Sequence, residues 1–113
     1  EQFAENTVGA TIDEFDDLVE HLAKLHPSKY KSLIEGVTLV CIKNVHPAQD
    51  QAVALRLVAL ADRLYDGEIP VSISGVKLDE IFTPEMVAGG YRKKYLRATS
   101  RLLALSRFAE AND

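Results

Sequence analysis

The pattern of apolar and polar positions is clearest between Gly36 and Gly75, where two short apolar runs flank a longer helical period. The first run, 37–42, is nearly continuously apolar and rich in β-branched residues, which is typical of a strand buried on both faces of a parallel sheet. The second run, 69–75, predicts another strand, with Pro70 near its start, where a missing N–H is tolerated.

Residues 49–66, between these runs, repeat their apolar side chains with a helical period. The stripe consists of Ala54, Leu57, Val58, Ala61, Leu64 and Tyr65. A strand, a crossover helix and a second parallel strand form a right-handed βαβ unit. Two strands do not make a complete sheet, so this unit must either recruit strands from elsewhere in the chain or be a piece of a larger sheet.

The acid-rich segment that precedes this unit predicts a helix near 12–25. Thr11 has the character of an N-cap, and Glu14, three residues later, would complete a capping box. An acidic metal site is an alternative interpretation of the carboxylates at Asp13, Glu14, Asp16 and Asp17. No histidine or turn glycine is placed to complete such a site, so the sequence favours a capped, solvated helix start.

The remaining segments complete the predicted domain. Helices are predicted near 28–35 and 91–108, and no linker composition divides the chain. Residues 1–10 lack periodicity and are predicted to be a flexible lead-in, and 109–113 a short polar tail. The expected fold is therefore α/β: one domain over 11–108, with a small parallel sheet flanked by helices.

Composition narrows the classes of function. The chain has 113 residues and a formal net charge of -4, which argues against a protein that binds nucleic acid over its whole surface. Its one cysteine, Cys41, falls in a predicted strand, so no disulfide framework is possible and a cytoplasmic protein is predicted. No apolar run approaches the ~20 residues of a membrane span. Three scattered histidines are a weak metal signal, so no metal site is predicted.

Motifs for catalysis are absent from the sequence. It contains no G-x-x-x-x-G-K-[ST] phosphate loop and no G-x-S-x-G, and the first predicted strand ends in Lys43-Asn44 rather than in a magnesium-binding Asp-Glu. Asp62 and Asp66 lie one turn apart beside arginines, which favours ion pairs over an acid–base pair. The sequence therefore predicts none of these catalytic sites.

The last predicted helix has a concentrated basic face. Lys93, Arg97 and Arg101 are spaced four apart, opposite a buried stripe predicted at Tyr91, Tyr95, Ala98, Leu102 and Leu105. Two interpretations stay open. These side chains are either simply solvated or contact an anion, such as a nucleotide phosphate, an acidic partner surface or nucleic acid. The tyrosines fall on the buried stripe rather than between the basic residues, which disfavours nucleic acid.

Several stretches together resemble one family. Residues 54–66 resemble the "RF-x-x-LID-x-LYD" helix of the ZapE cell-division ATPases, relatives of the mitochondrial AFG-type ATPases. The strands on either side follow the family's order, and Ser100-Arg101-Leu102 resembles its C-terminal Ser-Arg-Leu. The run 89–97 resembles the actinobacterial branch. The resemblance covers roughly 15–105, with departures such as Leu57 where the family has phenylalanine.

This resemblance implies a parent protein that is a P-loop ATPase of the AAA+ type, and it implies that this chain by itself is catalytically inactive. The parent's N-terminal P-loop part would bind ATP and Mg²⁺, and this chain would be a C-terminal domain that helps to couple ATP hydrolysis to bacterial cell division. Expected partners are that P-loop part and a division-ring protein or another subunit. Arg101, then Arg97, with Lys93 beside them, are the candidates for sensing nucleotide or contacting an anion. The alternative is a nucleotide-independent protein–protein interaction module.

Overall fold

The structure, a computed structural model that describes residues 9–111, contains a three-stranded parallel sheet. The strands are β1 (Ala10–Glu14), β2 (Leu39–Val45) and β3 (Val71–Gly75), in the spatial order β1-β2-β3. Thr11 pairs with Val40 and Val40 with Val71. The predicted α/β class and βαβ unit are confirmed, and the additional strand is β1.

The helices cover one face of this sheet. They are α1 (Phe15–Ala23), α2 (Tyr30–Leu33), α3 (Gln51–Asp66), α4 (Pro84–Val87) and α5 (Arg92–Ala111), with 3₁₀ turns at Pro27–Lys29 and Leu78–Glu80. Right-handed crossovers that step in the same direction place their helices on the same face. Val40, Ile42 and Val71 are accordingly buried, whereas Leu39 and Cys41, which point the opposite way, are only half-buried.

The prediction of a helix near 12–25 is wrong at its start. Residues 10–14 form β1, and α1 begins at Phe15. Residues 10–14 pair with β2, and the hydrogen bonds between the two strands satisfy their backbone N–H and C=O groups. In a helix, the first N–H groups of this segment would have needed capping side chains instead. The predicted capping box does not form: Glu14 occupies the N-cap position without a side-chain hydrogen bond to the helix. Its carboxylate instead contacts Lys43 and Asn44 on β2.

The end of β2 also differs from the prediction. The strand continues past residue 42 to Val45, through a bulge at which Asn44 has a φ of 58°. The Ser74 side-chain oxygen accepts the Asn44 backbone N–H at 3.2 Å, which helps to hold this left-handed conformation. The prediction that this strand is buried on both faces is wrong, because the described helices lie against only one of them.

The outer predicted boundaries fall partly outside the described residues. Of the predicted lead-in, 1–8 lies outside them, as does 112–113 of the predicted tail. Residues 109–111 continue α5, and Ala109 is buried. The predicted helix near 28–35 is a 3₁₀ turn followed by the short α2, whereas α3 begins at Gln51 after Asp50 caps the Val53 N–H.

We expect Gly75→Ala to destabilise the domain by more than about 1 kcal/mol. Gly75 has a φ of 110°, and a Cβ there would lie 2.3 Å from the Val45 carbonyl oxygen of the paired strand. Gly90→Ala is the matched control, because its Cβ would meet nothing within 4 Å, and it should change stability by less than about 0.5 kcal/mol. Urea unfolding monitored by circular dichroism measures both changes, and equal effects would contradict the argument.

Candidate functional site

A carboxylate on α3 holds the basic face of α5. Arg101 Nη1 lies 2.5 Å from Asp62 Oδ1, and Arg97 Nη2 lies 4.0 Å from Asp62 Oδ2. The side chain of Asp62 is 22% exposed and that of Arg101 29% exposed, so water screens this pair less than it screens an ordinary surface pair. The pair therefore fixes the position of α5 against α3.

An aromatic ring completes this junction. The Arg101 guanidinium carbon lies 4.9 Å from the centroid of the Tyr65 ring, within the range of a cation–π contact. Tyr65 follows Asp62 by three residues, so both side chains lie on one face of α3 and can meet the same guanidinium. We call Asp62, Tyr65 and Arg101 the arginine junction.

Apolar packing beneath the arginine junction supports it. Tyr95, Ala98, Leu102 and Leu105 are buried along α5, as the predicted stripe requires. The rings of Tyr95 and Phe82 stack with centroids 4.9 Å apart and planes at 22°. Tyr91, predicted to be buried, is exposed, and its ring lies 5.9 Å from Lys94 Nζ. The packed stripe leaves the basic side chains of the first turns of α5 facing solvent.

The three predicted site residues occupy different surroundings. Arg101 belongs to the arginine junction. The Arg97 side chain is 52% exposed, and its Nη2 lies 4.0 Å from Asp62 Oδ2. Lys93 is exposed and has no ion-pair partner among residues 9–111. The structure thus brings Arg97 and Arg101 to a common carboxylate and leaves Lys93 apart. That any of them contacts an anion outside the domain stays a prediction.

One of the ion pairs predicted on α3 is present, and the other is not. Arg63 Nη2 lies 2.8 Å from Asp66 Oδ2, one turn along the same helix. Asp62 instead pairs across to α5. Each carboxylate is held by an arginine, so the arrangement is that of structural ion pairs rather than of an acid–base pair.

A second polar group, which sequence reasoning missed, lies where β1 and β2 end. His46 Nε2 lies 2.5 Å from Asp16 Oδ1, and Nδ1 lies 3.0 Å from the Pro47 carbonyl oxygen. The ring also meets Phe15 edge-on, with centroids 4.7 Å apart. The signal that could have found the pair is topological, because adjacent parallel strands bring their carboxyl ends together.

The surroundings of His46 favour its charged form. Both ring nitrogens face oxygen acceptors, and only the imidazolium can donate to both. The hydrogen bond to Asp16, followed by the one to Pro47, raises the pKa of His46 above its usual value. At neutral pH, His46 and Asp16 therefore form an ion pair to a greater extent than they would if the pKa of His46 had its usual value.

Beside the His46–Asp16 pair, polar side chains at the end of the sheet form ion pairs and hydrogen bonds with one another. Glu14 Oε1 lies 3.6 Å from Lys43 Nζ, and the Asn44 amide nitrogen donates to Glu14 Oε2 at 2.8 Å. Across the part of the chain that the structure describes, no group of three or more acidic, histidine or cysteine side chains is arranged to hold a metal ion. The polar groups at this edge hold the two strand ends in register.

Comparison with known proteins decides the family. The chain matches the sequence model of the AFG1-like ATPase family over residues 2–110. It belongs to the AFG1-like ATPases. No curated protein and no solved structure gives a significant match. The arginine junction joins two of the stretches that resemble this family, 54–66 and 100–102.

One further property concerns membranes. Among the helices of residues 9–111, none combines the length and the apolar character needed to cross a bilayer.

We expect Asp62 and Arg101 to be energetically coupled by about 1 kcal/mol. Their charges are partly shielded, and each loses its main partner when the other is removed. A double-mutant cycle with Asp62→Ala and Arg101→Ala, measured by urea unfolding, gives the coupling energy.

The control cycle combines Arg101→Ala with Glu20→Ala. Glu20 pairs with Lys24 on α1 and shares no partner with Arg101, so these two changes should add within about 0.5 kcal/mol. A coupling between Asp62 and Arg101 no larger than that of the control cycle would show that the arginine junction does not hold α5.

We expect His46 to stabilise the domain more at acid pH than at alkaline pH. Its pKa is raised by folding, so its contribution is fully present below the ordinary histidine pKa and is lost as pH rises through the folded value. The difference in unfolding free energy between wild type and His46→Gln should be larger at pH 5.5 than at pH 8.5. Because the pair is partly solvent-exposed, that change should stay below about 1 kcal/mol.

The Asp16→Asn background tests the cause of this pH dependence. Without the carboxylate, the largest contribution to the raised pKa of His46 disappears, and the effect of His46→Gln should become nearly independent of pH. A difference that grows with rising pH would contradict the assignment of His46 as the charged partner.

Proposed function

We propose that this chain is a C-terminal domain of a ZapE-like ATPase of the actinobacterial branch, which couples ATP binding and hydrolysis to cell division in the cytoplasm. Membership of the AFG1-like ATPase family supports the link to an ATPase. The observation that carries the proposal is the arginine junction. It ties the two stretches of family resemblance into one unit and leaves Lys93 and Arg97 at the solvent side of a fixed helix.

The described residues do not fit ATP with Mg²⁺. The sequence has no phosphate loop, and β2 ends in Lys43-Asn44, where an ATPase strand would end in carboxylates. Asn44 is already engaged by Glu14 and Ser74. In this proposal the P-loop part of the parent protein supplies the nucleotide site, and this domain by itself is inactive.

The role proposed for the basic helix has two components. Lys93 and Arg97 contact an anion on the nucleotide-binding part, either a phosphate or an acidic surface, since their charges face solvent. Arg101 acts as a positioning residue, because Asp62 and Tyr65 occupy its guanidinium. A force on the start of α5 would reach α3 through the arginine junction. α3 is the crossover between β2 and β3 and so carries the force to the sheet.

One observation favours the alternative, a nucleotide-independent interaction module. Leu96 and Leu103 are exposed and lie seven residues apart, on the same solvent-facing side of α5. Exposed leucines at this spacing are typical of a helix that packs against a partner. A division-ring protein or a second subunit would use this side of α5 in either nucleotide state.

We expect the double variant Lys93→Ala/Arg97→Ala to lower ATP turnover of the full-length ATPase roughly tenfold, the effect of one lost charge-assisted contact. Its melting temperature should stay near that of the wild type, because both side chains are largely exposed. Arg101→Ala should lower turnover and melting temperature together. Steady-state ATPase assays and thermal unfolding of the same preparations measure both quantities.

Arg107→Ala is the matched control on the same helix, because Arg107 is exposed and has no ion-pair partner among the described residues. It should leave turnover and melting temperature unchanged. Unchanged turnover in the Lys93→Ala/Arg97→Ala variant would contradict the role in ATP hydrolysis and leave partner binding as the function of α5.

A further inference from the structure

A cavity of about 360 Å³ opens between β1, α1, α2 and α3, away from the basic helix. Its volume is in the range of small-molecule sites in proteins. Much of its wall is apolar and includes Leu33, Ile34, Val37, Leu60 and Leu64. Polar side chains reach it at one side only, from β1 and α1. An apolar chamber with polar groups converging at one side is the usual form of a site for an organic ligand.

The local sequence explains both the chamber and its polar side. Thr11 and Asp13 are two apart on β1, so both face the helix layer. Asp17 and His21 are four apart on α1 and therefore share a helix face. α2 has only four residues, so it does not fill the corner between α1 and α3. The cavity therefore follows from the short length of α2, which leaves space between α1 and α3.

The carboxylates at the polar side determine which class of ligand suits the cavity. Asp13 is half-buried and has no hydrogen-bond or ion-pair partner among the described residues. Burial raises the pKa of Asp13, the charge of His21 opposes that rise, and the nearby Asp17 adds to it. A half-buried carboxylate that lies near a second carboxylate gains free energy when a cation approaches it, and it repels an anion.

We propose that this cavity binds a small amphiphilic cation, a molecule with an ammonium or guanidinium group on an apolar body. The cationic group lies between Asp13 and Asp17, and the apolar body lies against the leucine and valine wall. His21 lines the same side of the cavity. This site is independent of the proposed function of α5, since the cavity and the basic helix share no residue.

Two other ligand classes fit the cavity less well. A bare metal ion would need more converging ligands than the described residues provide, since no set of three is arranged for one. A purely apolar molecule would fill the chamber but leave the Asp13 carboxylate without a partner in a drier site, which costs free energy. An amphiphilic cation packs its apolar body against the apolar wall and places its charge beside the carboxylates.

The experiment is an NMR titration of the ¹⁵N-labelled chain with three probes of matched shape: phenethylamine, 2-phenylethanol and phenylacetate. We expect phenethylamine to bind at least about tenfold more tightly than the alcohol, the effect of one charge-assisted hydrogen bond. Phenylacetate should bind most weakly. The largest amide shifts should fall at 11–21 and 33–37, the segments that line the cavity.

Asp13→Asn should reduce the affinity for phenethylamine about tenfold while leaving that for the alcohol unchanged. Asp17→Asn is the second variant, because its side chain can change without altering β1 if Asp13→Asn fails to fold. Glu20→Gln, an exposed position on the same helix that pairs with Lys24, should change neither affinity.

Two results would overturn the proposal. Equal affinity for the amine and the alcohol would show that the carboxylates do not select the ligand and that the cavity is only an apolar site. No amide shifts at the cavity with any of the three probes would show that it binds no ligand of this class. In both cases the proposal for α5 would stand unaffected, because its test measures ATP turnover.

Discussion

The arrangement of this domain depends on one constraint: both crossovers step across the parallel sheet in the same direction. Right-handed connections of this kind place α1 and α3 on one face. The core therefore forms between that face and the helices, and the strands alternate buried and half-buried positions. The same constraint gathers the carboxyl ends of β1 and β2 at one edge, where His46 meets Asp16. It also leaves the cavity in the corner that the short α2 does not fill.

α5 is attached to this frame through α3, β3 and the segment that follows β3. Its buried stripe supplies the apolar contact, and the arginine junction adds a directional one. Hydrophobic burial is not directional, whereas a guanidinium held by both a carboxylate and a ring adds a contact of defined geometry. The two stretches of family resemblance thus have a physical connection, which is a contact between their side chains rather than a shared ligand.

Local signals predicted much of the fold. α3 was predictable because its apolar period and the Asp50 cap lie within the helix and its border, and the buried stripe of α5 was predictable for the same reason. β1 was not, because Thr11 and Glu14 fit a capping box as well as they fit a strand. Only pairing with β2 decides between the two.

The candidate sites were less predictable than the fold, because their partners are distant in sequence. Arg101 was recognisable as part of a basic face, but Asp62 lies 39 residues earlier. His46 and Asp16 are 30 residues apart. The cavity depends on four elements at once, and its Asp13 is ambiguous in the sequence, where it reads as one more acidic residue at a helix start.

The basic residues of α5 differ in how much water surrounds them, and this has a consequence for the effect of ionic strength. Arg101 is shielded by Asp62 and Tyr65, whereas Lys93 lies in solvent. Dissolved ions screen exposed charges beyond about 8 Å at physiological ionic strength and screen partly buried pairs far less. Salt would therefore weaken attraction of the helix start to an outside anion while the helix stays docked. In this way ionic conditions can adjust how strongly the domain engages its surroundings without loosening its own packing.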